Sequence, residues 1–140
     1  MSEDSVSVVI ASNRTGEFLK EAIESVRRQT MPVAEIVLVD DGSPGTSLAD
    51  LAVELGLVFV RQRSLGVSIA RNRGVDAANG TLLVFLDDDD IWHPERVAEQ
   101  FAAMINNPDA AACYSGLWYL DGSGNQFGEL RNAPIGSTMQ

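Results

Sequence analysis

The chain has 140 residues, 45% of them hydrophobic, and a formal net charge of −10 from 20 acidic against 10 basic residues. A chain this long buries roughly 68–70% of its unfolded surface, so a real core is expected and a disordered chain is excluded. The acidic balance excludes nucleic acid, or an anionic membrane, as a partner held by general electrostatics.

Residues 6–11 (VSVVIA) form an apolar run that reads as a first buried strand. Ser12, Asn13, Arg14, Thr15 and Gly16 break it. Phe18, Leu19, Ala22, Ile23 and Val26 then recur at helical spacing, with Thr15 as the expected N-cap and an end near Gln29 and Thr30, before Pro32. A second strand, residues 35–39, runs into Asp40, Asp41, Gly42 and Ser43, a loop of turn formers. Leu48, Leu51, Ala52 and Leu55 mark a shorter helix stopped by Gly56, and residues 57–60 make a third strand. Val67, Ile69, Ala70, Val75 and Ala77 mark a third helix, with Asn79 and Gly80 expected as a left-handed cap.

Residues 81–86 form the fourth strand, read as buried on both faces, and it runs directly into Asp87, Asp88, Asp89 and Asp90. Pro94 is expected at the first position of a fourth helix with Val97, Phe101, Met104 and Ile105 inward. Residues 110–120 and about 126–130 read as strands joined by Asp121, Gly122, Ser123, Gly124 and Asn125, the best hairpin signal in the chain. Cys113, the only cysteine, reads as a buried strand thiol and leaves no intrachain disulfide and no cysteine-based zinc site. Trp92, Phe101, Trp118 and Tyr119 read as packing residues, with an acceptor groove as the alternative for the last two. Residues 132–140 show no period. No stretch is long and apolar enough to span a bilayer and the N-terminus is no signal peptide. The expected location is therefore cytoplasmic, with peripheral membrane association left open.

The order implies a three-layer α/β/α sandwich on a mostly parallel, doubly wound, Rossmann-like sheet with a late antiparallel hairpin. Ligands of such sheets bind at the carboxyl ends of the strands, where two acidic loops and a basic one converge here. Four adjacent carboxylates repel one another by roughly 1 kcal/mol per pair in water at about 4 Å, and more near a protein surface. A divalent cation relieves that repulsion, and hard ions such as Mg²⁺ use one or two carboxylates plus substrate phosphates. A solvated acidic turn is the plain alternative. Nine of the ten bases are arginine, whose planar fork suits phosphate.

These pieces in this order and spacing resemble glycosyltransferase family 2, specifically its nucleotide-sugar-binding part with the GT-A fold. The carriers are residues 6–10, AIESV at 22–26 with Gln29 and Thr30, EIVLVDDGS at 35–43, GVSIARNRG at 66–74 and FLDDDDIWHP at 85–94. The resemblance implies transfer of a sugar from a nucleotide-diphosphate sugar (UDP, dTDP or GDP type) to an acceptor hydroxyl on a saccharide or lipid-linked acceptor. It implies Mn²⁺ or Mg²⁺ as cofactor, and a place in cell-envelope polysaccharide synthesis. The nucleotide-sugar site it implies comprises Ala11, Ser12, Asn13, Asp40, Asp41, Arg71, Asp87 and Asp88. Asp41 matches the acid that accepts a hydrogen bond from the base ring. An ionised carboxylate only accepts, so it suits the ring N–H of uracil, thymine or guanine and not the bare N3 of cytosine. Asp89, with Asp87, matches the metal-binding Asp-x-Asp motif, and four consecutive aspartates leave its register open by one residue. His93 reads as a capping residue and Arg73 as structural or solvent-facing.

Two positions depart from the family pattern. Asn13 stands where relatives often carry an aromatic that stacks on the base, and Ser64 where they often carry Asn. The base that deprotonates the acceptor is expected beyond Gln140, since Asp121 and Glu129 are poor substitutes. Residues 1–140 are thus expected to form one donor-binding domain that ends before the acceptor-binding part and has weak or no transfer activity alone. The competing reading is a non-catalytic nucleotide- or metal-binding interaction module on the same fold.

Overall fold

The computed structural model describes residues 4–131. The stretches 1–3 and 132–140 lie outside the described residues. The chain falls into two compact units, one up to Val97 and one from Ala98 onward.

The first unit is built on four parallel strands: β1 (Val6–Ser12), β2 (Glu35–Asp41), β3 (Val58–Gln62) and β4 (Leu82–Asp87). Their spatial order is β3-β2-β1-β4. Helices α1 (Glu17–Arg27), α2 (Ser47–Leu55) and α3 (Val67–Ala77) fill the crossovers. Parallel neighbours require such crossovers, and the helices then cover the faces of the sheet. Successive strand residues face opposite sides. On one side Val9, Val37 and Val39 pack with Ala70 of α3, and Val58 and Val60 join them. On the other, Val8, Ile10 and Leu38 are fully buried, as are Ala22 and Ile23 of α1 and Leu48 and Ala52 of α2.

Helix α3 departs from its expected pattern. Its buried residues are Ala70 and Gly74, whereas Val67, Ile69 and Val75 are exposed. A Cβ on Gly74 would stand 2.2 Å from Val9 Cγ1, so the helix lies closer to the sheet than larger residues permit. Nor does α3 end in a left-handed cap: Ala78 is extended and Gly80 has no positive φ. Instead the Asn79 N–H donates to Glu35 and the Gly80 N–H to Ser7 Oγ (2.8 Å). A Cβ on Gly80 would lie 2.5 Å from that Oγ, so the glycine serves close approach.

Other local expectations are corrected as well. Gly16, not Thr15, is the N-cap of α1, which ends at Arg27, and Phe18 is exposed. Strand β4 is an edge strand: Leu86 is buried, but Leu83 and Phe85 are exposed. Leu83 and Phe85 lie on the same face of the strand, and an apolar run does not say whether a helix covers that face. Gly56 does stop α2, in the left-handed conformation (φ 62°).

The fourth helix, α4 (Arg96–Asn106), begins after a turn at Pro94 and Glu95, so Pro94 precedes it by two residues. Trp92 is buried under the Arg96 guanidinium, 4.7 Å from the ring centroid. In the second unit β5 (Leu117–Leu120) and β6 (Gln126–Arg131) form the antiparallel hairpin, with Tyr119 against Phe127. Asp121 accepts from the Ser123 and Asn125 N–H groups and so closes its turn. The strand is shorter than the sequence suggests, and Cys113 precedes it, exposed, with Sγ 3.7 Å from the Gln100 carbonyl. Trp118 and Tyr119 are about half exposed rather than packed away.

Candidate nucleotide-sugar site

Because the four strands are parallel, their carboxyl ends share one edge of the sheet. Along it come Gln62 from β3, Asp40 and Asp41 from β2, Ala11 and Ser12 from β1, and Asp87 from β4. Ser12 is level with Asp40, and Ala11 with Asp87. Asp40 and Asp87 are thus two strand spacings apart, roughly 9–10 Å.

The adjacent acids of β2 have separate jobs. Asp40 is fully buried. Its carboxylate accepts the Ser43 N–H (2.7 Å) and hydroxyl (2.9 Å), and Arg61 Nε lies 3.4 Å away. Arg61 also donates to the carbonyls of Ser43 and Gly45, both at 2.8 Å. Asp40 therefore braces the turn. Asp41 is half-buried and accepts from Gln62 Nε2 (2.7 Å) and the Leu65 N–H (2.8 Å) on Oδ1, and from the Gly66 N–H (3.0 Å) on Oδ2. The Gln62 and Leu65 bonds outweigh burial and, with Gly66, hold its carboxyl below the usual aspartate value. A carboxylate offers about four acceptor positions, so three bonds leave roughly one open. At Gly42 (φ 83°) a Cβ would come 2.6 Å from the Ser64 nitrogen, so the loops after β2 and β3 touch where only glycine fits.

The aspartate quartet also divides. Arg71 of α3 closes an ion pair on Asp87. The buried Ser12 hydroxyl donates to Asp88 Oδ2 (2.5 Å), and Arg14 Nε lies 4.0 Å from the same oxygen. Burial, then the charges of Asp87 and Asp89, push the Asp90 carboxyl up against the pull of Arg96. Asp89 is exposed and has no hydrogen bond or ion pair among the described residues. Asn13 is exposed and Ala11 half-buried beside Ser12. His93 caps locally, its Nδ1 3.5 Å from the Glu95 nitrogen, and Arg73 is exposed.

The sequence matches the family described as Glycosyl transferase family 2 over residues 7–138. The chain belongs to glycosyltransferase family 2. An uncharacterized glycosyltransferase of Methanocaldococcus jannaschii is 33% identical over 138 residues, covering 94% of this chain and 48% of its own length. The chain thus spans about half the length of the curated relatives it matches. Staphylococcus aureus TarS 1-349, crystallised with UDP-GlcNAc, aligns with a TM-score of 0.62 at 22% identity, over 74% of this chain and 32% of that one. The mannosyltransferase PcManGT of Pyrobaculum calidifontis, in complex with GDP-Man and Mn²⁺, aligns with a TM-score of 0.63 at 21% identity, over 82% of this chain and 35% of that one. These likenesses establish the GT-A fold.

The residues fit a divalent cation of one kind only. Among the described residues no three His, Cys, Asp or Glu side chains form a cage for a metal ion. An ion that takes most of its ligands from a diphosphate and water needs only one or two carboxylates. Asp89 carries one that is exposed and without a hydrogen bond or ion pair among the described residues, whereas Asp87 is ion-paired with Arg71. One residue of the edge, Gln62, is missed by sequence reading. Its signal was the period of two: Val58 and Val60 point to the core, so Gln62 follows them inward.

Proposed function

We propose that the chain is the donor-binding portion of an inverting glycosyltransferase that moves a sugar from a nucleotide-diphosphate sugar to an acceptor hydroxyl with Mn²⁺ or Mg²⁺. The observation that carries this reading is the carboxyl end of one sheet, where Asp41 retains an open acceptor position, the Ser12 hydroxyl of β1 bonds Asp88 in the turn after β4, and Asp89 in that turn has no hydrogen bond or ion pair among the described residues. Asp41 accepts the ring N–H of a uracil, thymine or guanine base. Ala11, Ser12 and Asn13 border the nucleoside, and Ser12 orients Asp88 toward the ribose. Arg71 offers its fork to the diphosphate, for which guanidinium geometry is suited. Asp89, joined by Asp87, holds the cation; when bound, such an ion offsets diphosphate charge and stabilises the leaving group as the glycosyl bond breaks. That neighbours of the same fold are in complex with UDP-GlcNAc and with GDP-Man and Mn²⁺ supports a nucleotide-sugar ligand. The acceptor is a saccharide or a lipid-linked saccharide, and its base is assigned to none of these residues.

Calorimetric titration with UDP, dTDP and GDP, with and without Mn²⁺, tests the reading. Binding of at least one, tightened by the metal, is expected. A folded sample that binds none of them with Mn²⁺ present returns the chain to the non-catalytic interaction module.

A further inference from the structure

Gln62 is 93% removed from solvent, yet its Oε1 is buried and has no hydrogen-bond partner among the described residues. A buried carbonyl left unmet costs free energy, and native structures rarely keep one without a reason. An apolar residue continuing the Val58 and Val60 stripe would avoid that cost, so packing does not account for an amide here. What the amide does is donate. Its Nε2 reaches Asp41 Oδ1 at 2.7 Å, from the β3 position in register with Asp41 itself. The other two donors to Asp41, Leu65 and Gly66, come from the loop ahead of α3. Gln62 alone donates from a strand, and groups on strands hold a constellation more rigidly than groups on loops.

We infer that Gln62 is a positioning residue for Asp41: its amide N–H ties up Oδ1 and leaves Oδ2 turned to read the ring N–H of the nucleobase. This rests on the donor-site reading above and adds a specificity determinant to it. The role needs an ionised Asp41, because a protonated carboxyl can donate and loses its preference for a donor on the base. The Gln62 bond favours that ionised state.

The test uses the full chain and two variants. Gln62→Met fills the same slot without an amide, and Gln62→Glu keeps the shape but removes the N–H. Whichever of UDP, dTDP and GDP the wild type binds is titrated beside its analogue methylated at the ring N–H. Carbon-detected NMR follows the titration of the Asp41 carboxyl, and circular dichroism confirms folding. The wild type is expected to prefer the parent nucleotide by about tenfold or more, the worth of one hydrogen bond to a charged group. Both variants are expected to lose affinity for the parent and not for the methylated analogue, so that the ratio falls toward one. In Gln62→Met the Asp41 carboxyl should titrate at higher pH. A loss that is equal for both ligands is the mark of general loosening and overturns the inference, as does an unchanged ratio or an Asp41 titration that stays put. A wild type that binds no nucleotide overturns the donor reading and this inference together. A wild type that discriminates while both variants discriminate equally overturns this inference alone.

Discussion

The guanidinium of Arg71, on the first half of α3, is ion-paired with Asp87 at the last residue of β4. The pair joins a helix to the strand exit that opens the aspartate quartet, and both side chains are partly exposed, 38% and 53%. Exposed ion pairs contribute only about 0–1 kcal/mol to stability. The pair therefore matters for where two charges are held, one of each sign, on the edge proposed to receive a diphosphate and a cation.

Arg71→Ala is expected to leave the midpoint of urea unfolding nearly unchanged and to weaken nucleotide-diphosphate binding by about tenfold or more, the worth of a charge-assisted hydrogen bond. Nucleoside and nucleotide-diphosphate titrations run in parallel check it. An equal loss for both ligands would mean that Arg71 does not meet the diphosphate.

Asp89→Asn should abolish the gain in nucleotide affinity produced by Mn²⁺ while leaving metal-free binding as it was. The same change at Asp88 should weaken binding with and without metal alike, because its carboxylate is committed to Ser12. Paired calorimetric titrations of the two variants distinguish the positions and resolve the register that four identical residues leave open.

Asp40 and Asp41 should separate stability from binding. Asp40→Ala strands the Ser43 donors in a buried turn and is expected to cost about 2–4 kcal/mol. Asp41→Asn keeps a carbonyl to accept from Gln62 and Leu65, so it should cost much less stability, yet its NH2 replaces Oδ2 and should remove nucleotide binding. Urea denaturation and calorimetry on both variants measure the contrast. Equal stability losses would contradict it.

Acid should weaken the fold partly through Glu35. Burial raises its carboxyl, but bonds from the Asn79 N–H, the Ser7 hydroxyl, the Asn79 side chain and the Gly80 N–H outweigh burial and bring it below the ordinary glutamate value. A carboxyl lowered in the folded state adds stability that is present above its unfolded pKa and lost as pH falls through the folded one. Glu35→Gln should therefore lower stability at neutral pH and flatten its decline in the acid range, read from thermal unfolding across pH.

Much of the fold was written in the order of apolar runs and helical periods. Alternating strands and helices with short turns admit few arrangements other than a parallel sheet, and that arrangement by itself sends Ser12, Asp41 and Asp87 to one edge. The burial of individual residues was less visible. Cys113 and Phe85 sit in apolar stretches and are exposed, because a run of apolar residues says neither where a strand begins nor what covers its faces. Ala70 and Gly74 carry the α3 contact, a face that a search for large hydrophobics passes over.

The sequence by itself determined which elements form, in what order, and that carboxylates leave the sheet together, since these follow from local propensity and from the chirality of crossovers. Only the tertiary structure decided which carboxylate does what. Asp40 and Asp41, or Asp87, Asp88 and Asp89, are chemically identical neighbours. They come apart once one finds Ser43 and Arg61, another Gln62, another Arg71, another Ser12, and Asp89 no partner among the described residues. Hydrogen bonds act over about 3 Å, and residues far apart in the chain come that close only when it folds.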